Sequence, residues 1–189
     1  MSETFHPPLP VLRAALVASV AYAAALCFPP GASANAGAPT PLELRAAFLL
    51  NLARFVRWPG ATPGEPDGTF VLGYFQADPI AAPLRQIVQG ESIAGLSIEL
   101  RELRRYDDFS RCNLVYVGDT LRSDVVRAIG RQRVHPVLFV GDSYRLLSVG
   151  GHVQFFQQGG QVRLRISPEN LRSAGLVPDS RLLRVATTR

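Results

Sequence analysis

The chain contains no lysine, and arginine supplies all 20 of its basic side chains. Enzymes that form a Schiff base, nucleotide-binding P-loops and phosphorylated receiver domains each depend on a lysine, so this absence excludes all three classes. Histidine is almost as scarce, because His6, His135 and His152 stand far apart without the spacing of metal ligands. The chain also lacks a G-x-S-x-G nucleophile elbow and a glycine-rich phosphate loop. The sequence therefore predicts a protein without catalytic activity, cofactor or metal site.

The N-terminus has the layout of a secretory signal peptide. Arg13 precedes an unbroken run of small and apolar residues, and Ala34 and Ala36 then flank Asn35 in the A-x-A pattern of a cleavage site. The run is shorter than the roughly 20 apolar residues that span a bilayer, so a retained membrane anchor is the weaker alternative. We predict a signal peptide at residues 1–36 and an exported mature domain, 37–189, in the periplasm.

Cysteine is rare as well. Of the two cysteines, Cys27 would leave with the signal peptide and Cys112 would remain. A single cysteine cannot form an intramolecular disulfide even in an oxidising compartment. Cys112 precedes an apolar strand, so we expect a buried and inert thiol.

The size and charge of the mature chain indicate one domain that does not bind nucleic acid. About 150 residues bury roughly 70% of their unfolded surface around a single core. The formal net charge of the full chain is +5, but the arginines are scattered and cluster only in Arg101–Arg105. A nucleic-acid-binding surface usually concentrates its charge on one face with interleaved aromatic residues. No nucleic-acid partner is therefore predicted.

The order of apolar segments predicts an α/β fold. Continuous apolar strands such as "TFVLGYF", "NLVYV" and "PVLFV" alternate with helical segments, which is typical of a parallel sheet covered on both faces. The last third instead predicts a hairpin, in which "HVQFF" and "QVRLRI" flank "QQGG". We predict a single-domain α/β sandwich whose mixed sheet of about six strands is flanked by helices on both faces.

Two of the predicted strands end in the same short pattern, Gly-Asp followed by a hydroxyl residue. Ligands of open parallel sheets bind outside the carboxyl ends of the strands. One hypothesis is therefore a small-ligand site at these four residues: Asp119, Thr120, Asp142 and Ser143. The alternative is that the same side chains only cap helices and turns.

The stretch "LRAAFLLNLARFVRWPG", 44–60, predicts the first helix of the domain. The helix should start at a capping signal, which consists of Thr40 as cap, Pro41 as the first helical residue and Glu43 three residues after the cap. Trp58-Pro59 is expected to end the helix. The stripe expected to pack on the sheet consists of Leu44, Ala47, Phe48, Leu52 and Phe55.

Three further expectations concern the faces of this helix. Asn51 lies within the stripe and would need a hydrogen-bond partner there. Leu49 and Leu50 would widen the apolar surface toward a second subunit. A membrane-surface helix is disfavoured, because its three arginines are spread around the axis rather than gathered on one polar face.

Three parts of the sequence carry a family resemblance: the opening helix, the central "CNLVYVGD" and the C-terminal "GGHVQFF", "GGQVRLRIS" and "NLRSAGLVPDSRLLRVA". In order and spacing, they resemble the YfiR family of exported bacterial regulators. The resemblance spans residues 42–186, and its most specific parts are the helix ending in Trp-Pro and the terminal "AGL" and "LLRVA" segments. It implies an α/β sandwich that can form a homodimer. It also implies a periplasmic repressor that binds the periplasmic region of an inner-membrane diguanylate cyclase and lowers cyclic di-GMP and biofilm formation.

The resemblance also implies a partner-facing surface on the late hairpin and the helix that follows it. By position, the implied partner-binding residues are Val153, Arg165 and Leu171, and we add Phe155 as their neighbour. Two features depart from the family pattern. With Cys112 as the single cysteine, a redox switch by intramolecular disulfide is not expected. Ser167 stands where the family commonly has asparagine, but serine caps a helix equally well.

Two functional hypotheses follow. The first is a non-catalytic regulator that acts by binding the cyclase. The second is a small-ligand binding or sensor module that uses the strand-end residues. They are compatible, because a small-molecule effector could tune repression.

Overall fold

The apolar strands assemble into one large sheet. A computed structural model describes residues 38–58, 68–104, 109, 111–119, 121–131 and 136–188, and Pro39–Arg189 forms one compact unit. The strands are β1 (Val56–Arg57), β2 (Thr69–Phe75), β3 (Ser92–Ile93), β4 (Leu96–Leu103), β5 (Leu114–Tyr116), β6 (Leu138–Gly141), β7 (Val153–Gln158), β8 (Gln161–Ile166), β9 (Val177–Pro178) and β10 (Thr187–Thr188). The helices are α1 (Pro41–Phe55), α2 (Ala81–Ile87), α3 (Ser123–Arg131), α4 (Pro168–Ser173) and α5 (Ser180–Val185), with a 3₁₀ turn at Leu147–Val149.

The large sheet is mixed and has the order β10-β8-β7-β6-β5-β2-β4-β3. Its centre is parallel, because β2 pairs in parallel with β4 and β5, β5 with β6, and β6 with β7. The hairpins β7–β8 and β3–β4 are antiparallel, and β10 is parallel to β8. The predicted mixed α/β fold is confirmed. The six longer strands are those that the sequence predicts, and the two-residue strands β3 and β10 extend the edges.

Two hydrophobic cores cover the two faces of the sheet. The first includes buried residues of α1, α2, α4 and α5, with Leu72, Leu114, Leu138 and Phe155 from the strands. The second contains the residues that point the other way, Val71, Val115 and Phe139, together with Val125 of α3 and Leu146 before the 3₁₀ turn. Because successive strand residues point to opposite faces, a strand between two cores must be apolar throughout.

Helix α1 begins as predicted. The Thr40 N–H donates to Glu43 Oε2 at 2.6 Å, and the Glu43 N–H donates to Thr40 Oγ1 at 3.2 Å. This reciprocal capping box satisfies two backbone donors that the first helical turn leaves without partners.

The buried face of α1 is centred away from the predicted stripe and shares only Leu52 with it. Its buried residues are Ala46, Leu49, Leu50, Leu52 and Ala53. Of the predicted stripe, Leu44, Phe48 and Phe55 are partly buried and pack against the first core, and Ala47 is partly buried. Asn51 is exposed, so the hydrogen-bond partner expected for it inside the core is not needed. The apolar residues surround most of this helix, and the small side chains of Ala46 and Ala53 favour close approach of that face. Leu49 and Leu50 therefore belong to the core rather than to a second-subunit interface.

The helix also ends earlier than predicted. Its last residue is Phe55, and the next two residues form β1, where Val56 pairs with Pro178 and Arg57 with Val177 of β9. The Asp179 N–H then donates to the Phe55 carbonyl at 2.7 Å. Pairing with a distant segment of the chain, rather than the Trp58-Pro59 dipeptide, thus ends α1.

The late hairpin has the predicted turn. Gly159 and Gly160 have φ values of +59° and +77° between β7 and β8. Positive φ at both central residues is the geometry of a type I′ turn, which glycine adopts without steric cost. The following helices start at caps, because the Asn170 N–H donates to Ser167 Oγ and the Arg181 N–H to Asp179 Oδ1.

Three other sequence predictions concern export and burial. Cys112 is fully buried, as expected. The predicted signal peptide, 1–36, lies outside the described residues. Among the helices of the described segments, none combines the length and apolar character that a bilayer span requires.

His152 is a buried structural residue. Its Nδ1 accepts a hydrogen bond from the Phe139 N–H at 2.9 Å, and its ring stacks on the Phe139 ring with a centroid distance of 6.0 Å. Burial lowers the pKa of His152 from 6.5 to about 4. The imidazole therefore stays neutral at physiological pH and joins β6 to the start of β7.

The first prediction concerns acid stability. The unfolded chain binds a proton at His152 below pH 6.5, whereas the folded chain does so only below about 4. The stabilising contribution of neutral His152 should therefore be fully present above pH 6.5. The free energy of unfolding should fall by about 3 kcal/mol as the pH decreases toward 4. His152→Asn offers an oxygen acceptor that does not titrate, so its urea-unfolding stability should vary less over this window. Equal pH dependence in the two proteins would contradict the assignment.

Candidate functional site

A cleft opens at the carboxyl ends of the central parallel strands. Its volume is about 540 Å³, and it is lined by residues after β2 (Phe75, Gln76, Ala77, Asp78, Pro79), at the end of β4 (Leu103, Arg104) and after β5 (Val117, Gly118, Asp119, Arg122). In the sheet, β2 lies between β4 and β5. The chain leaves β2 through α2 to reach β4 on one side, while β5 and β6 follow on the other. Such a switch point is where open α/β sheets bind ligands.

Asp78 lies in the middle of this cleft, because it follows the central strand. The turn after β2 is closed by hydrogen bonds from the Gln76 N–H to the Leu103 carbonyl and from the Asp78 N–H to the Phe75 carbonyl, at 3.0 and 3.1 Å. Ala77 has a φ of +64°, which is unusual for a residue other than glycine. One carboxylate oxygen of Asp78 accepts the Ile80 N–H at 2.9 Å.

The surroundings of Asp78 disfavour its negative charge. Burial is the main cause that raises the pKa of this carboxyl, and the nearby carboxylates of Asp142 and Asp119 raise it further. The hydrogen bond from the Ile80 N–H and the charge of Arg45 partly oppose the rise. An acid held at such a cost in a cleft is a candidate for a functional role, although buried networks of structural charges produce the same effect.

The turn after β5 passes close to Asp78. Gly118 has a φ of +63°, and a Cβ atom at this position would lie 3.0 Å from Asp78 Oδ2. Glycine therefore suits this position both because of its backbone conformation and because of the space that the carboxylate occupies.

Asp142 belongs to a structural network beside the cleft. Its Oδ1 accepts from Arg45 Nε at 2.6 Å, and its other oxygen accepts a short hydrogen bond from the Tyr116 hydroxyl. Burial, followed by the hydrogen bond to Asp142, raises the pKa of Tyr116, so the hydroxyl remains a donor. The network connects α1 to the ends of β5 and β6.

The four strand-end residues predicted from the sequence thus differ in their placement. Asp119 lines the cleft. Asp142 is engaged by Arg45 and Tyr116, and the Ser143 carbonyl accepts the Leu146 N–H in a turn, so these two fit the capping alternative better. Thr120 lies outside the described residues.

Sequence reasoning missed three residues of the cleft. Asp78 follows β2 as Asp119 follows β5, and it accepts the Ile80 N–H as a turn-capping residue does. Arg104 and Arg122 line the two flanks of the cleft. Arg122 also forms a bidentate ion pair with Asp124, with distances of 3.2 and 2.9 Å. Within the described segments, no group of three His, Cys, Asp or Glu residues is placed to hold a metal ion.

Three of the four residues implied for partner binding are buried. Val153 and Leu171 are 0% exposed and Phe155 is 1% exposed, all within the first core. Their side chains support the fold and offer no surface for a partner in this conformation. Arg165 differs, because it lies on the other face of the hairpin and is only partly buried.

The outer hairpin face is defined here as Gln154, Phe156, Arg163 and Arg165. Gln154 is buried, Phe156 and Arg165 are partly buried, and Arg163 is exposed. The Arg165 guanidinium lies 4.6 Å from the centroid of the Phe156 ring and donates to Gln154 Oε1 at 3.3 Å. Arg163 is exposed and pairs across the strands with Phe156. The second core takes none of its buried residues from β7 or β8. The ion pairs found among the described residues involve neither arginine.

The second prediction is that substitutions of Asp142 and Asp78 change the free energy of unfolding in opposite directions. Asp142→Asn should lower the free energy of unfolding by about 1–3 kcal/mol, because it breaks a largely buried ion pair. Asp78→Asn keeps an oxygen for the Ile80 N–H and removes a disfavoured charge, so it should raise stability at pH 7. Because the raised pKa of Asp78 means that its ionisation weakens the fold, the gain should vanish at pH values below the ordinary pKa of 3.8.

Urea unfolding of both variants at pH 7 and pH 3.5 measures these effects. Destabilisation by Asp78→Asn at pH 7 would show that the Asp78 charge supports the fold instead of opposing it.

Comparison with known proteins identifies the family. The model of the YfiR/HmsC-like family matches residues 42–187, which is most of the chain. The comparison with curated proteins gives no match. The matched region begins in α1 and ends in β10, and it includes both the cleft and the outer hairpin face. The chain therefore belongs to the YfiR/HmsC-like family.

Proposed function

We propose that this protein is an exported, non-catalytic regulator that binds the periplasmic sensory region of an inner-membrane diguanylate cyclase and holds the cyclase inactive. The observation that carries the proposal is the family match over residues 42–187. Repression of this kind lowers cyclic di-GMP and, with it, biofilm formation. Export depends on the predicted signal peptide at residues 1–36, and a possible homodimer stays a prediction from the family resemblance.

The outer hairpin face is the surface that we propose for the cyclase. Aromatic residues and arginine are enriched at the centres of protein–protein interfaces, and this face offers Phe156 with Arg165 stacked on it. The stacking holds the guanidinium in place, so less side-chain entropy is lost when a partner binds. Arg163 adds a second positive charge, which favours a partner surface that carries carboxylates.

The third prediction tests this surface. Arg165→Glu should weaken binding to the periplasmic domain of the partner cyclase by at least tenfold, since it reverses a charge and removes the stacking on Phe156. The measurement is biolayer interferometry with the purified domain. Arg127→Glu is the matched control, because Arg127 is an exposed arginine of α3, and its affinity should not change.

Leu171→Asp gives the contrasting case. Leu171 is fully buried, so this variant should lose its far-UV circular dichroism and its binding together. Unchanged binding in Arg165→Glu, with the fold intact, would exclude the outer hairpin face. Failure of the wild-type protein to bind the domain would count against cyclase repression itself.

The second candidate function is binding of a small-molecule effector, and the specific observation that favours it is the cleft. Its volume of about 540 Å³ is within the range of small-ligand sites. Apolar walls from Phe75, Leu103 and Val117 surround a few charged groups, which is the usual composition of such a site. An effector bound here would be compatible with repression through the hairpin.

The fourth prediction is a thermal-shift screen of the wild-type protein against amino acids, amines, nucleotides and vitamins. A ligand present at 100 times its dissociation constant stabilises the folded state by roughly 2.7 kcal/mol. For a domain of this size, that corresponds to an increase in Tm of about 5–10 °C. Absence of any shift across the panel would remove the effector hypothesis but would leave cyclase binding untouched.

A further inference from the structure

The charges of the cleft are arranged asymmetrically, and this asymmetry indicates the chemistry of its ligand. Asp78 and Asp119 both line the cleft, and the carboxylates of Asp119 and of Asp142, which lies beside the cleft, both act on Asp78. The guanidinium of Arg45, which also acts on Asp78, is hydrogen-bonded to Asp142. Asp78 therefore lies among like charges.

The positive groups lie at the sides of the cleft. Arg104 follows β4 and Arg122 follows the turn after β5, while Asp78 follows β2 between them. The charge of Arg122 is compensated by its bidentate contact with Asp124. Arg104 is exposed at the rim. A cation that enters the cleft thus meets the Asp78 carboxylate, which forms no ion pair among the described residues, and the Arg104 guanidinium at the edge.

The space around Asp78 suits an organic group better than a bare ion. Phe75, Pro79, Leu103 and Val117 provide apolar wall on several sides. One oxygen of Asp78 is used by the Ile80 N–H, and the other, Oδ2, lies beside Gly118 at the bottom of the turn. In the described part of the chain, these carboxylates do not form a group that could hold a metal ion. An alkylammonium group can pair with one carboxylate while water accepts its remaining N–H donors, and its carbon chain can lie on an apolar surface. The cleft offers both the carboxylate and the apolar surface.

We infer that the cleft binds a small organic molecule through a primary ammonium group that pairs with the Asp78 carboxylate. This inference rests on the second candidate function, the binding of an effector, and specifies its ligand class. Pairing with a cation adds an attraction that offsets the repulsion of Asp78 by the carboxylates of Asp119 and Asp142. The ammonium group has two possible sources, a simple amine or an amino acid, and the carboxylate of the latter would reach toward Arg104.

Three probes of matched length test the inference. Norvaline carries an ammonium and a carboxylate, butylamine is norvaline without the carboxylate, and valerate is norvaline without the ammonium. Isothermal titration with the exported protein should detect butylamine and norvaline but not valerate. Tighter binding of norvaline than of butylamine, lost in Arg104→Gln, would identify the amino acid as the source. Equal binding of the two would identify the simple amine.

Variants locate the ammonium site. Asp78→Asn should weaken butylamine binding at least tenfold while its circular dichroism and Tm show an intact fold. Glu169→Gln is the matched control, since Glu169 is a carboxylate in the first turn of α4, outside the cleft, and it should bind as the wild type does.

The outcomes distinguish this inference from the function on which it rests. Binding of valerate as tight as that of butylamine, or undiminished butylamine binding in a folded Asp78→Asn protein, would overturn the ammonium site. If neither amine binds while another compound of the wider panel does, the ammonium inference fails and the effector function stands. If no compound of either set binds, both fail.

Discussion

A parallel sheet has to be covered on both faces, and most of this molecule follows from that requirement. All residues of β5 and β6 are buried, because α1, α2, α4 and α5 pack on one side and α3 on the other. Burial of both faces excludes water from the backbone hydrogen bonds of the strands and removes a large apolar area from solvent. Where the cover ends, at the outer face of the β7–β8 hairpin, the strands become polar and carry arginine. This face of the hairpin is the surface that we propose for the partner.

The carboxyl edge of the same sheet shows how one local pattern can serve different purposes. Asp78, Asp119 and Asp142 each follow a parallel strand within a few residues. Asp142 is neutralised by Arg45 and a tyrosine hydroxyl, which makes it part of the attachment of α1 to the sheet. Among the described residues, the Asp78 carboxylate accepts a hydrogen bond from one backbone donor, the Ile80 N–H, and it lies among like charges. The strand-end position therefore brings acids together, but the helices above the sheet decide which of them is compensated.

The outer hairpin face, proposed for the cyclase, and the cleft, proposed for the effector, are close enough in the fold to belong to one mechanism. The cleft lies at β5, β2 and β4, and the outer hairpin face lies at β7 and β8, so β6 alone separates them in the sheet. His152 hydrogen-bonds to the β6 backbone next to the start of β7, and Asp142 follows the end of β6. Side-chain hydrogen bonds therefore fix β6 and the residue after it between the two surfaces.

The sequence by itself determined the order and type of the elements. Apolar strand composition, the capping box at Thr40, the Gly159-Gly160 turn and the proline-initiated helix after Ser167 act over a few residues, and the structure confirms each of them. The family resemblance is confirmed by the match over residues 42–187. Tertiary structure decided the rest. A helix that is apolar around most of its circumference does not indicate which face is buried, and of the predicted stripe only Leu52 belongs to the buried face of α1. The pairing of Val56 with Pro178 that ends α1, the Arg45–Asp142 ion pair and the position of Asp78 between two carboxylates join residues that are far apart in the chain. No local pattern encodes such pairs, because they depend on how the packed helices and strands meet.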